Sequence, residues 1–199
     1  NHNKKGITLN LKAEEGKALF RDLVKTVDVV VENYRPGVME KLGLGYETLK
    51  EINPRLSYVS VSGYGTYGPY KNRPGYDTIA QAVSGLMHLT GDFDGPPTRA
   101  GICVGDTVAG LTATIAILAA AFYQRETGRG VKAETSLVDA LIALSLVENN
   151  RYFATGDVPQ RMGNIYKLWA PYGTYKAANG YYNIGVGTEK HFQLFAPAI

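Results

Sequence analysis

The sequence predicts an α/β fold with a largely parallel sheet, and three observations carry that expectation. Three short runs, Val27–Val31, Leu56–Val61 and Val131–Thr135, read as strands. Segments with helical spacing lie between them, so the order is strand–helix–strand–helix–strand, the pattern of parallel α/β domains. The first run is almost continuously β-branched, which suits a strand covered on both faces.

Taken in order, Ile7-Thr8-Leu9-Asn10-Leu11 alternates apolar and polar residues and predicts a half-buried strand. Glu14–Lys25 places Ala18, Leu19, Leu23 and Val24 at helical spacing behind acidic residues in the first turn. After the Val27–Val31 strand, Asn33–Gly37 breaks the chain before a short helix at Val38–Leu42. Tyr46–Ile52 predicts another helix, stopped by Asn53-Pro54. The Leu56–Val61 strand leads into a glycine-rich loop from Gly63 to Gly75, and Tyr76–Thr90 reads as one helix. Thr107–Tyr123 is apolar nearly all round, a pattern that predicts a buried helix. Ser136 is placed to cap a helix running to about Thr155, and Gly173–Lys176 and Tyr181–Val186 form a β pair around Ala178-Asn179-Gly180. A large domain is therefore expected over residues 1–140, a linker helix and loop over 141–165, and the start of a smaller α+β domain over 166–199.

Composition excludes several classes of function. With 45% hydrophobic and 20% charged residues, the chain is not a disordered tail. A net charge of +3 is too mild to argue for nucleic acid or for an anionic membrane. The longest apolar stretch, Leu111–Phe122, reads as too short to span a bilayer. One cysteine, Cys103, leaves no internal disulfide and fits a reducing compartment, the cytoplasm or a mitochondrial matrix. The chain opens at Asn1-His2-Asn3 without a starting methionine and closes within an element that has just begun. It is read as the middle of a longer protein. Glycine stands out, with 23 residues spread as single turn positions.

Among the candidate sites, Gly63-Tyr64-Gly65-Thr66-Tyr67-Gly68 matches the dinucleotide-binding glycine pattern, which requires a helix to start at once. Pro69 and then Arg73-Pro74-Gly75 follow instead, so a nicotinamide site is rejected in favour of a long loop at the carboxyl edge of the sheet, where open α/β sheets bind ligands. Asp106 sits where the long apolar helix begins. It reads either as a helix cap or as a nucleophilic carboxylate, with Gly105, Ala109 and Gly110 leaving room for a bulky substrate. Cys103 has no histidine near it in sequence and reads as a small core residue. His2, His88 and His191 lack metal-ligand spacing. Lys4, Lys5, Lys12, Arg35 and Lys41 read either as solvated surface or as a grip on nucleotide phosphates.

The motifs Asn3–Lys12, Asp28–Gly37, Gly75-Tyr76-Asp77 and Asp94-Gly95-Pro96-Pro97 followed by Gly105-Asp106 resemble the family III CoA-transferases, the formyl-CoA and carnitine CoA-transferase group. Thr127–Gly130, Ser136–Ala140, Arg161–Asn164 and Pro171–Gly173 continue the resemblance in order along essentially the whole chain. The resemblance implies a Rossmann-like large domain and an interlocked homodimer of longer chains. Asp106 would be the catalytic residue, passing CoA between acids through an aspartyl anhydride and an aspartyl-CoA thioester. Coenzyme A enters as the acyl-CoA co-substrate, without a metal, and the other partner is a small carboxylic acid. The family pattern places CoA contacts at Leu9, Lys12, Asn33, Tyr34, Lys41, Leu42, Ser62 and Gly63, and the acyl pocket at Tyr64 and Gly65. The related α-methylacyl-CoA racemases need a histidine after the glycine matching Gly85, where this chain has Leu86. A CoA-binding module without catalysis is the other alternative.

Overall fold

The computed structural model describes residues 2–198. In chain order the elements are α1 (Glu14–Val24), β1 (Val29–Glu32), α2 (Val38–Lys41), α3 (Tyr46–Ile52), β2 (Ser57–Ser62), α4 (Asp77–Val83), α5 (Leu86–Leu89) and α6 (Val104–Thr127). They continue with β3 (Lys132–Ser136), α7 (Leu137–Leu144), α8 (Leu146–Thr155), β4 (Tyr172–Ala177), β5 (Gly180–Gly185) and α9 (Glu189–Phe195). Two units result. One combines the chain up to Ser84 with Ile102–Leu144, and the other combines Gly85–Gly101 with the chain from Ser145 onward.

The first unit is the expected α/β fold. Its sheet has the order β1-β2-β3 with both pairings parallel, Val29 opposite Ser57 and Tyr58 opposite Lys132. Val24, Met39, Leu44, Leu49, Leu56 and Tyr58 form one buried cluster where α1, α2 and α3 meet the start of β2. Among the described residues the Tyr58 hydroxyl has no hydrogen-bond partner. Burial pushes its phenol well above the usual range, and the negative charges of Glu32 and Glu40 add to the effect.

On the other side, α6 packs against β2, β3, α4 and α7. Its buried face is Gly105, Ala109, Ala113 and Ala120, small residues that let the backbones approach. Buried Gln124 anchors the far end by donating to the Arg55 carbonyl at 2.6 Å.

Four expectations about the elements need correction, and Cys103, expected as a small core residue, is exposed instead. No strand forms at Ile7–Leu11: the Asn10 carbonyl and side chain accept from the Ala13 and Lys12 N–H groups and turn the chain into α1. The helix expected over Tyr76–Thr90 is two, because Gly85 at φ +84° leaves the helical region between α4 and α5. The helix expected from Ser136 to Thr155 is also two, α7 and α8, with Ser145 between them. Ser136 does cap α7 as expected, accepting the Asp139 N–H at 3.0 Å and donating to its carboxylate at 2.7 Å.

The fourth correction concerns α6. It runs 24 residues, beyond Thr107–Tyr123 at both ends, and by length and composition alone it is apolar enough to cross a membrane. Apolar character all round does not mean burial all round here, because the sheet, α4 and α7 reach only the small-residue face. Leu111, Ile115, Leu118 and Phe122 on the other side are 57–68% exposed within this chain.

In the second unit β4 and β5 pair antiparallel, as the turn at Ala178-Asn179-Gly180 predicts. Tyr166, Trp169 and Tyr172 meet at centroid distances of 5.5–5.8 Å. The segment Gly85–Gly101 joins this unit through backbone groups. The Arg161 guanidinium donates to the carbonyls of His88 and Gly95, and the Gly163 N–H donates to the Gly91 carbonyl at 3.0 Å.

Candidate active site

The carboxyl ends of β1 and β2 set the site, because both strands stop within one residue of a chain break. Beyond β1 the chain runs Asn33-Tyr34-Arg35-Pro36. The Asn33 amide donates to the Val61 carbonyl at 2.6 Å, fixing this segment to the neighbouring strand. Beyond β2 lies the loop 63–75. Its two ends touch: a Cβ on Gly63 would stand 2.6 Å from the Gly75 Cα and 2.9 Å from its oxygen, so only glycine permits the closure. The Tyr64 ring lies against Gly75 and meets Tyr70 edge-on at 5.7 Å. Thr66 donates to the Glu134 carboxylate on β3, securing the far side of the loop.

Between these two segments is a pocket of about 260 Å³. Its wall includes Asn33, Tyr34, Arg35, Ser62 and Gly63 on one side, with Arg73, Pro74, Gly75 and Tyr76 from the closing end of the loop. Asp106 and Leu137 complete it.

Asp106 does not act as the helix cap, which was one of its two readings from the sequence. The N-cap of α6 is Cys103, which makes no side-chain capping bond, and Asp106 lies in the first turn. The capping work is done from another helix. Buried Asp77, at the start of α4, accepts the Gly105 N–H at 2.7 Å and the Gln81 amide at 2.7 Å. The exposed Asp106 carboxylate therefore has no hydrogen bond or ion pair among the described residues, and it lines the pocket. Its carboxylate is open to the pocket and is not engaged in capping.

Asp77→Ala is expected to leave the buried Gly105 N–H without its acceptor, to remove one of the bonds of the Gln81 amide, and to cost about 2 kcal/mol in urea unfolding. Asp77→Asn, which keeps an acceptor for Gly105, is expected to lose clearly less. Equal losses for the two would show that the hydrogen bonds do not matter.

Of the residues singled out in the sequence, Asp106, Asn33, Tyr34, Ser62 and Gly63 come together at this pocket. Tyr64 and Gly65 shape the loop behind it: Gly65 is buried, and its N–H donates to the Ser62 hydroxyl at 3.0 Å. Lys12 and Lys41 are exposed and lie outside the pocket lining, as does Leu9. Leu42 is half-buried against the Val24–Tyr58 cluster, so part of its side chain is taken up by the core. Arg35, read from sequence as surface or as a phosphate grip, lines the site too, and Arg73, Tyr76 and Leu137 line it without having been singled out as site residues. Tyr76 and Leu137 lie within quoted motifs, Leu137 at the start of α7, while the signal for Arg73 was its position in a loop rich in proline and glycine. Asp77 was visible within Gly75-Tyr76-Asp77, but its contact with Gly105 spans 28 residues.

A profile of CoA-transferase family III matches residues 1–199. The chain belongs to this family. It is 40% identical to the acetyl-CoA:oxalate CoA-transferase of Acetobacter aceti, over 100% of this chain and 51% of that protein. It is 39% identical to the succinate–glutarate CoA-transferase of Agrobacterium fabrum, over 97% of this chain and 48% of that one. The crystal structure of a CAIB/BAIF family protein from Brucella suis superposes with a TM-score of 0.87 at 38% identity, covering 98% of this chain and 52% of its own. The chain spans about half the length of the curated relatives it matches.

Proposed function

We propose that the protein carrying this chain is an acyl-CoA:carboxylate CoA-transferase, with Asp106 as its nucleophile. The observation that carries this reading is a pocket-lining carboxylate released from helix capping by Asp77.

In the proposed cycle an Asp106 carboxylate oxygen attacks the thioester carbonyl of the donor. The C–S bond breaks, CoA leaves as the thiolate, and an aspartyl–acyl anhydride remains. The thiolate then attacks the Asp106 carbonyl and expels the donor acid as its carboxylate, leaving aspartyl-CoA. The acceptor carboxylate attacks that thioester and forms the second anhydride with release of thiolate. Thiolate attack on its acyl carbonyl yields the new acyl-CoA and restores Asp106. Each step exchanges one acyl bond for another of similar reactivity, which is the advantage of covalent catalysis. The Ser62 hydroxyl accepts from the Gly65 N–H and keeps its own hydrogen, which makes it a donor available to a developing oxyanion.

For CoA, the reading uses Lys12 and Lys41 at phosphates, Leu9 and the free part of Leu42 beside adenine, and Asn33, Tyr34, Ser62 and Gly63 along the arm that reaches Asp106. The acceptor is a short dicarboxylic acid, a class supported by the oxalate, succinate and glutarate in the names of the two relatives. The test is CoA exchange by the full-length protein against a panel of acids, with hydroxylamine trapping and mass spectrometry of the Asp106 peptide. An aspartyl hydroxamate at Asp106, formed only when acyl-CoA is present, is the expected result. CoA binding without exchange or adduct would mean a binding module and would refute the reading.

A further inference from the structure

We propose that Arg73 is a specificity-determining residue that holds the remote carboxylate of a dicarboxylic acid while its other carboxylate reacts at Asp106. The inference rests on the CoA-transferase reading and adds the group that selects the acid.

Arg73 lines the same pocket as Asp106. Among the described residues its guanidinium has no ion pair, and the ion pairs present join lysines to acids three residues away in sequence. It is nevertheless held in place. Its backbone N–H donates to the Tyr70 carbonyl at 2.8 Å, and its guanidinium carbon lies 4.0 Å from the Tyr70 ring centroid. Tyr70 is braced edge-on by Tyr64, which in turn packs on Gly75. A guanidinium covered on one face by a ring keeps its donors, which lie in its own plane, available for a two-point bond to a carboxylate.

The chemistry of the pocket calls for such a group. The attacking Asp106 and the incoming acid are both anionic, and a dicarboxylate brings a further negative charge toward them. A positioned cation offsets that repulsion and orients the acid so that one carboxylate faces the reacting carbon. The wall that Arg73 shares with Asp106 is where the reading places the reacting end of CoA, and the lysines it assigns to the phosphates, Lys12 and Lys41, lie outside that lining. That argues for a carboxylate, not a CoA phosphate, as the partner of Arg73.

The experiment compares succinate with butyrate as acceptors, using full-length wild type, Arg73→Gln and Arg73→Lys. In Arg73→Gln the ratio of kcat/KM for succinate to that for butyrate is expected to fall about 10- to 100-fold, the loss of a hydrogen-bonded ion pair. Arg73→Lys is expected to recover only part of the ratio, because an ammonium cannot make the planar two-point bond. An unchanged ratio overturns the proposal, and so does an equal loss on both acids with a raised KM for acyl-CoA, which would place Arg73 on CoA. Wild-type protein that exchanges CoA with no acid would instead refute the CoA-transferase reading itself, so the two failures are distinguishable.

Discussion

Asp106→Asn is expected to lower CoA exchange by at least about 10⁴-fold, the scale of losing a covalent nucleophile, while CoA still binds. An amide of nearly the same shape cannot attack a thioester to give an anhydride, so the chemical step has no route. The fold is expected to tolerate the change. Asp106 is exposed and makes no described hydrogen bond, and Asp77 rather than Asp106 holds the start of α6. Unfolding in urea is therefore expected to shift by no more than about 0.5 kcal/mol, the usual range for an exposed position. Exchange rates, CoA titration and urea unfolding of the same variant check all three statements. Retained activity would remove Asp106 from the mechanism. A large loss of stability would mean that its carboxylate caps the helix after all.

Gly63→Ala is expected to damage stability and activity together. The added methyl group would stand 2.6 Å from the Gly75 Cα, a backbone atom that cannot rotate away. One end of the loop must therefore shift, at a cost of about 1–3 kcal/mol for forcing a methyl group into a packed contact. The end that shifts carries Arg73, Pro74, Gly75 and Tyr76 along the wall of the Asp106 pocket, so turnover falls as well. Gly110→Ala makes the contrast. Gly110 lies within α6, and a methyl group there meets nothing within 4 Å. That substitution is expected to stabilise by about 0.5–1 kcal/mol through helix propensity. Urea unfolding of the two variants should therefore move in opposite directions. No loss of stability in Gly63→Ala would mean that the closure of Gly63 on Gly75 does not constrain the loop.

The sheet was the most legible part of the fold. Val29–Glu32, Ser57–Ser62 and Lys132–Ser136 lie within a residue or two of their expected places, because β-branched runs between helices leave few alternatives. The failures share one cause. Ile7–Leu11 has strand alternation but no strand beside it among the described residues. Tyr76–Thr90 has a continuous helical stripe, yet Gly85 turns to positive φ within it. The apolar surface of α6 fixes that it is a helix but not which face the sheet receives. Alternation and periodicity record what a segment favours locally, and the partner that accepts it lies elsewhere in the chain.

The site divides in the same way. Asp106, Asn33, Tyr34, Ser62 and Gly63 were identifiable because the resemblance to the family points to each, and the family, the parallel α/β class and the candidate nucleophile were all legible in local motifs. That Asp106 is not used in capping could be read only from the folded chain, because the carboxylate that takes the Gly105 N–H comes from a helix 28 residues earlier. Only the tertiary structure brought Arg73 to the same pocket, through a loop whose ends meet at two glycines. Both decisions depend on contacts between segments distant in sequence, and a local pattern carries no record of which distant groups will share a hydrogen bond or a wall.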